Sequence, residues 1–85
     1  MLYEIRWDEK ATEFLRTIPA IEAQRIIKKV NSIADFPEHY LEELVELKSY
    51  KLRVGDHRLI IDLDKKNKII SILFIGHRKN VYERF

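Results

Sequence analysis

The 85-residue chain has no cysteine, which excludes a disulfide framework and any metal site built on thiolates. Proline and glycine occur only twice each, and no repeat, low-complexity run or linker-like stretch interrupts the chain. Long hydrophobic runs are missing as well. The longest, Ile69 to Ile75, is broken by Ser71 and is far too short to span a bilayer. The first fifteen residues alternate charged and apolar groups, unlike a secretory leader. The reading is one domain over residues 1–85, cytoplasmic and without a membrane partner.

What is present is globular in character. Apolar residues make up 46% and charged residues 35% of the chain, too much apolar content for a disordered segment. The net charge of +2 hides an uneven distribution. Residues 1–46 hold six Lys/Arg and ten Asp/Glu, a balance of −4, whereas residues 47–85 hold ten and four, a balance of +6. A basic C-terminal half favours a polyanionic partner. A lysine-rich solvated surface accounts for the charge alone equally well.

Periodicity divides the chain into elements. Tyr3, Ile5 and Trp7 alternate with Glu4 and Arg6, as in a half-buried strand. Asp8 offers an N-cap to a helix carrying Ala11, Phe14, Leu15 and Ile18. Pro19 ends that helix and opens a second, in which Ile26, Ile27, Val30, Ile33 and Ala34 form an apolar stripe opposite Arg25, Lys28 and Lys29. Pro37 closes it, and residues 38–47 are open between a short helix and a loop. From Leu47 the period changes to two. Gly55-Asp56 reads as a two-residue hairpin turn between the strand ending at Val54 and a return strand from His57 to Leu63. After a second turn over Asp64 to Asn67, Ile69 to Ile75 reads as a central strand covered on both faces or nearly so. The fold class is α+β, in the order β-α-α-β-β-β: a mostly antiparallel β-sheet with an N-terminal helical hairpin packed on one face.

That hairpin builds a candidate site. A two-residue turn sets Val54 opposite His57, Arg53 opposite Arg58 and Lys51 opposite Ile60, so Lys51, Arg53 and Arg58 share a face. No carboxylate joins them unless Asp62 reaches back. Directly opposed like charges destabilise a sheet by a few tenths of a kcal/mol or more, which an anionic ligand would offset. Antiparallel return of the last strand brings Ile75-Gly76-His77-Arg78 beside the turn, so Arg78 joins the patch and Tyr82 can return a ring to it. Guanidiniums on phosphate and a ring on a base are how single-stranded RNA is held. Taken singly, Lys51 and Arg53 are more often solvated cations and Tyr82 a core or edge aromatic, while Arg58 and Arg78 are evenly balanced.

Two segments, Tyr50-Lys51-Leu52-Arg53-Val54-Gly55-Asp56-His57-Arg58-Leu59-Ile60-Ile61 and Ile75-Gly76-His77-Arg78-Lys79-Asn80-Val81-Tyr82, resemble the RelE/ParE toxin superfamily. Element order and length agree, so the resemblance covers nearly the whole chain. It implies a RelE-type toxin of a type II toxin–antitoxin system that cleaves mRNA in the ribosomal A site. It also implies a RelB-like antitoxin that wraps around the toxin, and operator DNA contacted only as the toxin–antitoxin complex. By the same resemblance Lys51 and Arg53 occupy the paired basic strand positions, Arg58 follows the hairpin, Arg78 follows the last strand, and Tyr82 stacks on substrate. Lys48, His77 and Lys79 are counted with Lys51, Arg53, Arg58 and Tyr82 as RNA contacts. The chain ends three residues after Tyr82, so the additional C-terminal helix of some relatives is expected to be absent.

The expected chemistry is metal-independent attack of the substrate's own 2′-OH on the adjacent phosphate, with no cofactor. The sequence near the patch offers no carboxylates at metal-ligand spacing. Arg53 and Arg58 would clamp phosphate, and Lys51, among cations, is a candidate base. Arg78 would stabilise the transition state. Arginine is a poor proton donor, so His77 stands as its rival for the acid. ParE-type relatives share the fold but poison DNA gyrase. A gyrase-inhibiting toxin, an inactive toxin homologue and a plain basic RNA-binding module are the alternatives.

Overall fold

The computed structural model describes residues 2–77. Arg78, Lys79 and Tyr82, all expected at the site, lie outside the described residues. The elements run β1 (Glu4–Trp7), α1 (Glu9–Leu15), α2 (Ala20–Ser32), α3 (Pro37–Tyr40), β2 (Glu42–Leu44), a 3-10 turn (Val45–Leu47), β3 (Ser49–Val54), β4 (His57–Asp64) and β5 (Ile69–His77). The strands form one sheet in the order β1-β5-β4-β3-β2. All neighbours are antiparallel except β1 and β5.

Local chemistry accounts for the boundaries. The Asp8 carboxylate accepts from the Glu9 N–H at 2.6 Å and starts α1. Pro19 occupies the N-cap of α2 rather than its first turn. Gly55 takes φ +60 in the β3–β4 turn, a conformation that costs an L side chain about 1–2 kcal/mol. At the second turn the Asp64 carboxylate accepts from the Asn67 backbone N–H (3.0 Å) and Nδ2 (2.8 Å). Those two bonds hold the Asp64 carboxyl below its usual range.

One apolar cluster joins the helices to the sheet. Ala11, Ile26, Val30 and Ile33 meet Leu52, Val54, Leu59, Ile61, Ile70, Ile72 and Ile75. Ile27, expected in the α2 stripe, is instead exposed, because the buried arc of α2 runs along Ile26, Val30 and Ile33. The β4–β5 register slips between Ile60 and Ile61, so Ile61 pairs with Ile72 and Ile60 with Phe74. This bulge lets both Ile72 and Ile75 pair with residues of the helix-facing row, Ile61 and Leu59. It also explains why β5 reads as nearly continuous apolar sequence. β5 is an interior strand, but only one of its faces is fully buried; Ile69, Ser71 and Phe74 are half-buried. Among the described residues no helix is long and apolar enough to cross a membrane.

Residues 38–47 are neither a helix nor a loop throughout. After the single turn of α3 they form an edge strand, with Glu42, Glu43 and Leu44 paired to Lys51, Tyr50 and Ser49. The strand is three residues long, too short for a period-two signal to show.

Candidate functional site

The site begins with the hairpin register. Val54 pairs with His57, Arg53 with Arg58 and Lys51 with Ile60, as the two-residue turn predicts. Leu52, Val54 and Leu59 belong to the core that α1 and α2 cover. Strand alternation therefore turns Lys51, Arg53 and Arg58 to the face directed away from those helices. Arg53 is exposed, whereas Lys51 and Arg58 are half-buried. Lys48 sits exposed at a left-handed position, φ 53, just before β3.

The expectation of a patch without a carboxylate is corrected by β2. Glu42 is the cross-strand partner of Lys51, and its carboxylate lies 2.9 Å from Lys51 Nζ. Its carboxyl is held below the usual range, first by the hydrogen bond from Lys51, then by the charge of Lys51 and, more weakly, that of Arg58. Asp62 pairs with Ser71 and is exposed, farther along β4. The sequence hides Glu42 because its segment carries no strand pattern long enough to fix its register.

A groove of about 330 Å³ opens where β2 stops short of the end of β3. Glu42, Lys51, Arg53 and Arg58 line it, and Lys29 and Tyr40 form the wall from α2 and α3. Lys29 Nζ stands 5.2 Å from the centre of the Tyr40 ring, within cation–π range. Neither residue was expected at the site, since Lys29 reads in sequence as part of a solvated helix face. A second groove, of about 450 Å³, continues around the sheet edge, between Arg25, Lys28, Lys29 and Ser32 of α2 and Arg53 to Gly55 of the hairpin. The spacing of those α2 residues (i, i+3, i+4, i+7) is the signal that they share one side of the helix.

His77 stands apart from this arrangement. It pairs with His57, whose ring meets Phe14 of α1 edge-on at 5.5 Å. Alternation thus sets His77 on the helix-bearing face, where it lines a small polar pocket with Glu22, Arg25 and Asp56. The described residues bring Lys51, Arg53 and Arg58 together and leave His77 on the other side of the sheet.

The architecture is shared with solved toxins. The chain is similar to the toxin–antitoxin complex RelBE2 from Mycobacterium tuberculosis, with TM-score 0.83 and 22% identity over 92% of this chain and 100% of that one. It is similar to the archaeal RelE–RelB complex from Pyrococcus horikoshii OT3, with TM-score 0.75 and 24% identity over 92% and 97%. A double arginine-to-alanine mutant of E. coli toxin RelE in the free state gives TM-score 0.76 and 18% identity over 100% and 99%. Identities this low carry the fold and no residue-level role. No curated protein matches the sequence. The family model for the ParE toxin of type II toxin–antitoxin systems matches residues 5–82. The chain therefore belongs to that family, and is a toxin of the RelE/ParE superfamily.

Proposed function

We propose that this toxin is a ribosome-dependent endoribonuclease that cuts mRNA in the A site and so halts translation in the cytoplasm. The observation that carries the reading is the direct opposition of Arg53 and Arg58 on the face turned from the helices, with Lys51 on the same face. Such an arrangement is electrostatically unfavourable when empty and favourable around a phosphate.

Cleavage proceeds without a metal ion. The 2′-OH loses its proton and its oxygen bonds to phosphorus, the bond from phosphorus to the 5′ oxygen breaks, and that oxygen takes up a proton from water, leaving a 2′,3′-cyclic phosphate. Arg53 and Arg58 hold the phosphate oxygens as charge develops on them. Lys51, ion-paired with Glu42, serves as a cation rather than as the base first expected of it. Glu42 is the carboxylate at this patch able to accept the proton. Arg78 stabilises the departing oxygen and Tyr82 stacks on a base; both roles rest on the superfamily resemblance. Lys48 and Lys79 extend the RNA contacts. Ribosomal positioning of the message supplies part of the rate. A RelB-like antitoxin neutralises the toxin, and the pair contacts operator DNA.

The family model, which is that of ParE toxins, favours a second reading, a poison of DNA gyrase. The two separate by product. In a translation reaction with purified toxin, mapping of mRNA 5′ ends yields ribosome-dependent cuts that vanish with Arg58→Ala. Intact mRNA on loaded ribosomes, together with gyrase-dependent DNA breaks, overturns the nuclease in favour of the second reading.

A further inference from the structure

At one end of the sheet, the helix-bearing face carries a pair of histidines that the proposed cleavage leaves unused. His57, the first residue of β4, pairs directly with His77, the last of β5. Opposed residues of an antiparallel pair share a face, with Cβ atoms about 4.5–5.5 Å apart. The two imidazoles accordingly stand with ring centres 6.3 Å apart and planes at 75°. Phe14 of α1 packs edge-on against the His57 ring. A small pocket of about 240 Å³ opens beside the pair, completed by Glu22 from the first turn of α2, Arg25, Gly55 and Asp56. Its charge differs from that of the groove next to it. Arg25, Lys28, Lys29 and Arg53 line that groove without an acid, whereas here two carboxylates oppose one guanidinium. Imidazoles set among an excess of carboxylate suit a cation better than a phosphate. Neutral imidazole nitrogen is a ligand for zinc, copper and nickel, while calcium and magnesium take oxygen.

We propose that His57 and His77 bridge a divalent transition ion, with zinc as the type, and so clamp the start of β4 to the end of β5. With a Zn–N bond of about 2.0–2.1 Å, two imidazoles on one ion have ring centres roughly 5–6.5 Å apart. The observed 6.3 Å lies inside that span, so the ion enters with little more than a rotation of the rings. Among the described residues no three His, Cys, Asp or Glu side chains stand together as a ligand set. The pair therefore supplies two nitrogens and water completes the tetrahedron. Glu22 and Asp56 are the carboxylates at hand to offset the charge of the ion. Two protein ligands make an open, exchangeable site rather than the closed four-ligand kind that holds a fold together. It lies on the face away from Lys51, Arg53 and Arg58, so it stands apart from the cleavage proposed above.

The probe is zinc chloride, titrated into the chelator-stripped full chain and followed by calorimetry, thermal melting and NMR of the imidazole rings. The expected result is one ion per chain, a raised melting temperature, and shifts of the His57 and His77 ring signals. His39, which lies on α3 against Tyr40, keeps its signal unmoved. His57→Asn and His77→Asn each weaken zinc binding about tenfold or more, and His39→Asn leaves it unchanged. Should a variant fold poorly, the ring shifts of the unaltered chain decide alone. No binding, binding that survives either substitution in the pair, or equal shifts of all three histidines overturns the proposal. So does inorganic phosphate that shifts the His57 and His77 signals where zinc does not, which would make the pocket an anion site.

Discussion

On β4, Leu59 and Ile61 point toward the helices and lose all contact with solvent, while Arg58 and Asp62, each one residue away, point to the opposite side. The same alternation runs through β3, where Leu52 and Val54 are buried and Arg53 between them is exposed. One row of side chains is chosen for close packing. The other buries Ile60 but otherwise carries charge, and sets Arg53 against Arg58 where a sheet built for stability alone would not. Stability and ligand chemistry thus lie on opposite faces of the same strands, and substitutions separate them.

The largest effect is expected on the helix-facing row. Leu59→Ala removes a fully buried side chain and should cost about 2–5 kcal/mol in urea unfolding, a large share of the roughly 5–15 kcal/mol typical of a domain. Arg53→Ala should split the other way. Affinity for single-stranded RNA falls about tenfold, while stability is unchanged or rises by a few tenths of a kcal/mol as the opposed charge is relieved. A clear loss of stability with RNA affinity intact would break the division between faces.

Gly55→Ala tests the hinge between the two rows. Its positive φ predicts a loss of about 1–2 kcal/mol, measured by thermal melting. The smallest effect concerns Glu42. Its carboxyl is held below the ordinary range in the folded state, so its ion pair contributes above that range and the contribution is lost as pH falls through the lowered value. The melting difference between wild type and Glu42→Gln should therefore shrink on acidification. A constant difference down to strongly acid pH would show that the Lys51 contact is inconsequential in solution.

The hairpin register was legible in the sequence because a single Gly-Asp pair between alternating strands leaves one pairing, and every partner from Lys51 to Ile60 follows from it. The strand β1 and the start of α1 at its Asp8 cap were legible for similar local reasons. Glu42 was not, since a three-residue edge strand has no period of its own and its register is fixed by β3. The β5 bulge was equally hidden, because a parity change within an apolar run leaves the run apolar. Lys29 and Tyr40 come to the site from separate elements, through packing that no local pattern encodes. Arg53 and Arg58 were found because the turn between them is short.

The parallel ladder between β1 and β5 has a temporal consequence. Tyr3 donates to the Ala34 carbonyl, and Glu4 to Trp7 then align with Ile69 to Ile72. Of the strands described, β1 is made before the others and finds its partner only in β5, the last of them. Such nonlocal pairing slows folding, and at a synthesis rate of about 5–20 residues per second β1 waits several seconds for β5 to emerge. The growing chain can form its helices and the β3–β4 hairpin early, but the interior of its sheet is assembled last.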